Sequence, residues 1–362
     1  TMQIVRAKMI SRSMSVVSSC TIARSVIRFL DDFGIVRYGQ PIPRSGVGDA
    51  FPYRAQQSSV SPADLQRDRG VEFAYLLEDV DDGNIKRHGV PPDTMPHTSA
   101  PQQKAAVLRR FGLHVWTRPQ RAWGTSDSLV PIRVRKLLTP VPTPPAIWAV
   151  GVNYKGQLAE MGVERSKNPL AFMQNPAAAQ NPFDPVVIPP VAAGECDFEV
   201  ELAVVIGVDS HGRLCKDVSP DAALDYVHGY TVANDIGARR WQGRKGGGQW
   251  SRAKSFDSFL PLGPAIVSPA AIPDPQQNVR LSLRVNGTVM QDAPTSDMLF
   301  PVKDIIAFLS QGTTLLPGTV ILTGTPAGVG FVRNPPVYLR AGDEMCAQVE
   351  GIGCLFNTVI EK

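Results

Sequence analysis

Three acidic residues lie in apolar segments that are typical of buried strands. Glu199 and Glu201 are two apart in "DFEVELAVV", and Asp235 ends the apolar part of "YTVANDIG". Because residues two apart in a strand point to the same face, the two glutamates would repel each other without a compensating cation. Oxygen-only ligands suit a hard divalent ion such as Mg²⁺ or Ca²⁺. A solvent-facing strand, or pairing with Arg239 or Lys254, would explain the acids equally well.

Two other segments are candidates for ligand contact. The segment 239–257 carries six basic residues around a run of three glycines, without the spacing of a phosphate-binding loop. It is either a solvated basic loop or a flexible loop that meets an anionic substrate. The segment "LTGTPAGVG" (322–330) has glycines that let backbone N–H groups approach a ligand, and Thr325 adds a hydroxyl.

The elements that must position these residues follow the proline-rich segment "LLTPVPTPPA". Such a run is incompatible with a helix or a central strand, so it predicts an extended linker. We predict four parts: a basic extension (1–21), a small accessory domain (22–136), the linker (137–146) and a metal-dependent catalytic domain (147–362). In the last part, apolar and alternating patterns predict strands at 147–154, 198–208, 229–237, 280–291 and 318–326, and a helix at 302–312.

Composition excludes several classes of protein. With 43% hydrophobic and 19% charged residues among 362, the chain is not disordered, and no apolar run reaches the roughly 18 residues of a membrane span. A net charge of +4 is too weak to indicate nucleic acid. The 31 glycines and 32 prolines favour a turn-rich, mainly β fold with short helices, of the α+β class.

The location of the protein is predicted from two features. Five cysteines without a CxxC pair indicate a reducing compartment, which makes the cytoplasm the first expectation. The first 30 residues contain five basic residues, six serines and no acid, which is typical of a mitochondrial transit peptide and makes the matrix the alternative.

Five segments occur in an order that carries a family resemblance: "GVNYKGQLAEMG", "DFEVELAVVIG", "GYTVANDIGARRWQ", "GGGQWSRAKSFDSFLPLGP" and the run from Gln291 to Gly330. Residues 146–362 closely resemble the catalytic domain of the fumarylacetoacetate hydrolase family. Residues 1–136 are only loosely similar to the small N-terminal domains of some members. The resemblance implies a mixed β-sandwich or roll and a homodimer.

The resemblance also implies roles for individual residues. Mg²⁺, with Mn²⁺ or Ca²⁺ as substitutes, would be held by Glu199, Glu201 and Asp235, with Lys254 beside it as a catalytic group. The substrate would be a small oxo acid or diketone, without nucleic acid or membrane as partner. The implied substrate-binding residues are Tyr154, Arg239, Gln242, Lys254, Gly324 and Thr325.

Members of the family act on 2-oxo acids and 1,3-dicarbonyl compounds. The resemblance therefore implies C–C bond cleavage through a metal-bound enolate, by a hydrolase or decarboxylase of the acylpyruvate or fumarylacetoacetate type. The alternatives are enolate chemistry without hydrolysis, by an oxaloacetate-type keto–enol tautomerase or a cyclising enzyme of specialised metabolism, and a catalytically impaired binding homologue.

One departure from the family pattern bears on this choice. The segment from Asn153 to Glu160, which we call the lid, usually has a histidine where this chain has Gln157. Glutamine accepts no proton at neutral pH, so it is not a general base. Glu160 is then the proton carrier that remains in the lid, and Gln157 orients a substrate oxygen or a water. The departure favours reactions that need no activated water.

Overall fold

The computed structural model describes residues 25–30, 35–43, 71–76, 104, 107–108, 131–277 and 279–362. The predicted basic extension, 1–21, lies outside these residues. Strands predominate over four short helices in this part of the chain, which confirms the predicted fold class. The helices are α1 (Lys155–Met161), α2 (Arg239–Gln242), α3 (Trp250–Lys254) and α4 (Val302–Ser310). None of the helices in the described ranges is long and apolar enough to cross a membrane.

Nineteen strands are present in the described residues. They are β1 (Ser25–Leu30), β2 (Val36–Pro43), β3 (Val71–Leu76), β4 (Pro131–Arg133), β5 (Lys136–Leu138), β6 (Ile147–Gly151), β7 (Leu170–Gln174), β8 (Ala179–Gln180), β9 (Val186–Ile188), β10 (Cys196–Asp197), β11 (Val200–Ile206), β12 (Val227–Asn234), β13 (Gly237–Ala238), β14 (Leu260–Val267), β15 (Arg280–Val285), β16 (Thr288–Pro294), β17 (Val320–Leu322), β18 (Glu344–Val349) and β19 (Gly353–Glu361).

A large sheet forms the centre of the molecule, with the strand order β4-β3-β2-β1-β14-β12-β11-β17-β6-β7. All seven residues of β11 are buried. Leu202 and Val204 pack into one apolar cluster, and Ala203 and Val205 pack into another on the opposite face. Because both faces are covered, β11 is apolar on both faces apart from Glu201, and its sequence does not alternate.

The second sheet has the order β16-β15-β18-β19-β9. Inward residues such as Leu283 and Val349 share one apolar cluster with Leu202 of the large sheet and with Ile305 of α4. The two sheets therefore enclose the main core, as the predicted sandwich requires. The predicted hairpin is also confirmed: Asn286 and Gly287 both adopt positive φ between β15 and β16, the conformation that a tight hairpin turn needs.

The N-terminal strands are continuous with the catalytic part of the chain. Strand β1 pairs with β14 in antiparallel register, with Ser25 opposite Val267. It also pairs with β5, which overlaps the start of the predicted linker. Backbone hydrogen bonds thus join the two parts on one sheet. The domain boundaries themselves stay predictions, because most of 1–136 lies outside the described residues.

Candidate active site

Strand register brings the three predicted carboxylates together. In the antiparallel pair of β11 and β12, Val200 lies opposite Asn234, and the Asp235 N–H donates to the Glu199 carbonyl over 2.8 Å. Glu199 and Asp235 therefore lie just beyond the last paired residues of the two strands. Glu201 is the second residue of β11. All three side chains are buried, with their ligand oxygens within 4.8 Å of one another.

Lys254, at the end of α3, neutralises part of this charge. Its side chain is only 1% exposed. Its Nζ donates to Glu199 Oε2 over 2.8 Å and to the Asp235 carbonyl over 2.6 Å, and lies 3.1 Å from Asp235 Oδ2. The ammonium group therefore has an acceptor in each of three directions, which fixes its position between the two carboxylates.

Arg239 holds Glu199 from the other side. Its Nη2 donates to Glu199 Oε1, its Nε donates to Asp197 Oδ2 over 2.9 Å, and its Nη1 donates to Gln242 Oε1 over 2.8 Å. The guanidinium plane stacks on the Phe331 ring at 4.2 Å. Since every arm of the guanidinium is engaged, Arg239 orients Glu199 and Gln242 rather than projecting freely into the cavity.

The pKa values of the three carboxylates are shifted in different directions. Burial, with the nearby charges of Asp235 and Glu199, raises the pKa of Glu201 well above its usual range. Burial also raises the pKa of Asp235 to about 6, against the lowering effect of Lys254. Burial alone would raise the pKa of Glu199, but Lys254 and Arg239 outweigh it and lower that pKa. Glu201 is therefore the carboxylate that has too little positive charge around it.

These groups line a cavity that opens to solvent; its empty space, with the open solvent included, is about 340 Å³. Phe172 and Trp250, whose rings meet edge to face at 5.4 Å, form one apolar wall. The lid helix α1 supplies another wall through Gln157 and Met161, which are four apart and so share one helix face. The site thus combines a charged floor with a partly apolar enclosure, as small-molecule sites commonly do.

The lid presents an amide to this cavity. Gln157 is buried, and its Oε1 has no hydrogen-bond partner among the described residues. Glu160 is not among the residues that line the cavity, since its carboxylate accepts the N–H of Gly328. Tyr154 is fully buried in the main core, where Glu201 and Asp297 are the charges that act on its hydroxyl. Of these three predicted site residues, only Gln157 lines the cavity.

A comparison with protein-family models identifies the family of this chain. Residues 146–360 match the family model described as fumarylacetoacetate (FAA) hydrolase C-terminal, which is more than half of the 362 residues. The chain belongs to the fumarylacetoacetate hydrolase family. The resemblance that its motifs carry is thereby confirmed.

Relatives in this family are named as enzymes. The chain is 42% identical over 241 residues to a mitochondrial oxaloacetate tautomerase of Rattus norvegicus, covering 67% of this chain and 74% of that protein. It is similar to the solved fumarylacetoacetate hydrolase of Exiguobacterium antarcticum (30% identity, TM-score 0.64, 93% and 99% of the two chains). It is also similar to the 2-hydroxyhepta-2,4-diene-1,7-dioate isomerase of Mycobacterium marinum (31%, TM-score 0.60, 94% and 99%). The chain is therefore an enzyme of the fumarylacetoacetate hydrolase family.

The donor set of the site suits a divalent cation. The buried carboxylates of Asp197, Glu199, Glu201 and Asp235 face two cations, Lys254 and Arg239. A dipositive ion would balance the two excess negative charges and relieve the repulsion that raises the pKa of Glu201. Carboxylate oxygens without nitrogen or sulfur ligands fit the chemistry of Mg²⁺, Mn²⁺ or Ca²⁺.

A glycine–threonine turn after β17 closes the site, and it depends on close backbone approach. Gly324 donates its N–H to Glu201 Oε2 over 2.6 Å at a φ of +97°. A Cβ at this position would lie 2.7 Å from the Cβ of Asn153, so only glycine fits. The Thr325 hydroxyl lines the cavity, donates to the Val200 carbonyl and accepts from Gln291 Nε2 over 2.7 Å.

Sequence reasoning missed three residues that support the site. Asp197 accepts from Arg239 and from the N–H groups of residues 198, 330 and 331. Gln174 Nε2 donates to Asp235 Oδ1 over 2.8 Å, and Gln291 holds Thr325. All three are buried polar side chains. Each is an ordinary polar residue beside an apolar segment, which reveals no partner until the fold supplies one.

A substitution at Gly237 would test whether the position of the Lys254 ammonium group matters for activity. A Cβ on Gly237 would lie 2.9 Å from Lys254 Cε and 3.1 Å from Nζ, so Gly237→Ala should displace the ammonium group while the backbone stays in place. Since a misplacement of about 1 Å can cost roughly 100-fold in rate, we expect a loss of about that size in kcat/KM. The melting temperature should change little. Steady-state kinetics beside Lys254→Met would measure this, and full activity of Gly237→Ala would contradict it.

Proposed function

We propose that this enzyme interconverts the keto and enol forms of a 2-oxo dicarboxylate of the oxaloacetate type. The observation that carries the proposal is the amide of Gln157, which faces a carboxylate and lysine cavity where water activation would need a base. The rat relative is named as an oxaloacetate tautomerase. The alternative without hydrolysis is therefore preferred here over the C–C cleavage that the family resemblance alone implies.

The lid places no base in this cavity that could activate water. A neutral amide neither takes nor gives a proton near pH 7, so Gln157 orients an oxygen but does not activate water. No histidine lines the cavity within the described part of the chain. The Glu160 carboxylate lies outside the cavity, where it accepts a hydrogen bond from the Gly328 N–H. Tautomerisation breaks no C–C bond and consumes no water, but it forms a C–H bond and breaks an O–H bond. Lys254, which lines the cavity, would carry the proton: its ammonium group would give one proton to the carbon and then take one from the enol hydroxyl.

Glu199, Glu201 and Asp235 would hold the divalent ion. When bound, the ion withdraws electrons from the substrate carbonyl and so acidifies the adjacent C–H bond. Lys254 would donate a hydrogen bond to the substrate oxygen on which negative charge develops. The amide of Gln157 would bind a second substrate oxygen, and the backbone N–H of Thr325, a residue that lines the cavity, would bind a carboxylate. The closed lid excludes bulk water from these polar contacts.

The decisive experiment follows the decay of enol oxaloacetate to the keto form by ultraviolet absorbance with the purified full chain. We expect a rate well above the uncatalysed one with Mg²⁺ and loss of that excess rate with a chelator. Acylpyruvates and fumarylacetoacetate, tested in parallel, should show little cleavage. Rapid C–C cleavage without tautomerisation would overturn the proposal in favour of a hydrolase. Tight dicarboxylate binding without turnover would indicate the binding homologue.

We further infer a mitochondrial location. The support is the name of the rat relative, which is called mitochondrial, and the basic, serine-rich composition of the first 30 residues. A fluorescent fusion of the full chain should enter mitochondria, whereas the same fusion without residues 1–21 should stay in the cytoplasm. Equal distribution of the two fusions would contradict the inference.

A homodimer is also part of the proposal. Strand β7 ends the order of the large sheet, and its Leu170 and Met173 side chains are 46% and 44% exposed. An edge strand with exposed apolar side chains is a common site of association. Light scattering should give twice the mass of the chain, and Met173→Glu should shift the population towards the monomer. A monomeric wild type would refute this assembly.

A further inference from the structure

The carboxylate of Glu160 is fastened at a defined point outside the cavity. Both of its oxygens lie within hydrogen-bond distance of the Gly328 N–H, at 3.0 and 2.9 Å, and the side chain is exposed. Gln157, three residues earlier on the same helix, points into the cavity instead. The two lid residues that sequence analysis treated as a functional pair therefore have separate partners.

The opposite end of the lid is bound firmly to the core. The Asn153 side chain accepts from the Phe300 N–H and donates to the Thr323 carbonyl, each over 2.8 Å. The Gly156 N–H donates to Asp297 Oδ2 over 2.9 Å. These contacts fix the start of α1, so a lid movement would pivot at this end and open at the end that carries Glu160.

The backbone that donates to Glu160 is itself held in place by other contacts. The Gly328 carbonyl accepts from Arg333 Nε over 3.2 Å, and Arg333 Nη2 donates to the Met290 carbonyl over 2.6 Å. A Cβ on Gly328 would lie 2.0 Å from that same Met290 oxygen, so the turn rests directly on the backbone of β16. The backbone of Gly328 is thus held by Arg333 and β16, through contacts that do not involve the lid.

We propose that Glu160 is a positioning residue that latches the lid onto Gly328 and takes no part in proton transfer. Closure at this end then includes an exposed contact between a carboxylate and a backbone amide, beside the contacts of Arg165 with the Leu299 carbonyl and the Phe300 ring. Gln157 makes the contact with the ligand. A single exposed hydrogen bond is weak enough to release during each turnover and strong enough to bias the closed state. The kinetic part of this inference rests on the proposed function, but the structural part does not.

Hydrogen exchange without any substrate tests the latch directly. The variants are Glu160→Ala, which removes the acceptor, and Glu160→Gln, which keeps a carbonyl acceptor. Glu164→Gln is the matched control, because it removes the same charge from an exposed position four residues away. Loss of a hydrogen bond to a charged group should speed exchange of the Gly328 amide and of residues 155–161 by about 10-fold in Glu160→Ala. The change should be smaller in Glu160→Gln and absent in the control.

Steady-state kinetics with whichever substrate proves active would distinguish a latch from a proton carrier. For a latch, Glu160→Ala raises KM by about 10-fold with a smaller change in kcat, Glu160→Gln recovers most of the loss, and the pH profile of kcat is unchanged. A proton carrier would behave differently: both variants would lose about 100-fold or more in kcat, with exchange of the lid unaltered. That result would overturn the latch. Unaltered exchange in Glu160→Ala would overturn it too, even if no substrate were found.

Discussion

The Glu201→Gln variant should lose measurable binding of divalent metal, and with it the metal-dependent activity, while its metal-free fold stays intact. In the metal-free protein, burial and the charges of Asp235 and Glu199 raise the pKa of Glu201, and its Oε2 accepts the N–H of Gly324 over 2.6 Å. Glutamine has nearly the same shape as glutamate and keeps an oxygen that accepts this hydrogen bond. The substitution therefore costs the ion one charged oxygen ligand but costs the metal-free protein little.

Thermal unfolding with and without Mg²⁺ measures both effects. In the wild type, an ion present at 100 times its Kd should add about 2.7 kcal/mol to the free energy of unfolding. In Glu201→Gln this increment should vanish, and the melting temperature in chelator should match that of the wild type. Glu199→Ala and Asp235→Ala should also abolish metal-dependent activity. Glu199→Ala should in addition lower metal-free stability, because Lys254 and Arg239 lose their shared partner.

The Glu164→Gln control should retain the full effect of the ion, since its side chain is exposed and lies outside the cavity. Full activity in any of the three ligand variants, or activity unaffected by a chelator, would refute the metal site.

The second large effect concerns Gln157→His, which places a base with an ordinary pKa near 6.5 in the cavity wall. If the native reaction is tautomerisation, its rate should stay level or fall, because it needs no activated water. Hydrolytic cleavage of an acylpyruvate should rise by about 100-fold, the smaller contribution that general base catalysis commonly makes. Parallel assays of both reactions on wild type and variant provide the measurement.

Gln157→Leu is the matched control for this change. It removes the amide without adding a base, so hydrolysis should not rise, and tautomerisation should weaken through loss of the hydrogen bond to the substrate. A rise of the native reaction in Gln157→His would show instead that this reaction is hydrolytic. If Gln157→His, Gln157→Leu and Glu160→Ala all left every rate unchanged, the lid would have no part in the mechanism.

The sequence by itself determined the elements and the family. Alternation between Arg280 and Gln291, with Asn286-Gly287 at the centre, predicts the hairpin of β15 and β16 correctly, because both the period and the turn are local properties. The helix predicted at 302–312 is observed as Val302–Ser310. The strand predicted at 147–154 ends earlier, at Gly151, because Val152 leaves the extended conformation with a φ of +51°. The Asn153 carbonyl then accepts the N–H of Leu299.

The two-residue spacing of Glu199 and Glu201 likewise predicted a shared face for their carboxylates, and the structure brings them together with Asp235. Only the tertiary structure decided where the supporting partners lie. Asp197, Gln174 and Gln291 are ordinary polar residues in the sequence, and each gains its role from a contact with a segment far along the chain.

The lid is another place where the sequence did not predict which groups make contact. Gln157 and Glu160 share a helical turn in the sequence, yet one faces the cavity and the other reaches Gly328, which is 168 residues away along the chain. Side-chain direction on a short helix depends on which distant backbone groups are within reach. Residue types and local periodicity can be read from the sequence. Which groups pair across the fold depends on how distant segments pack, and no local pattern encodes that packing.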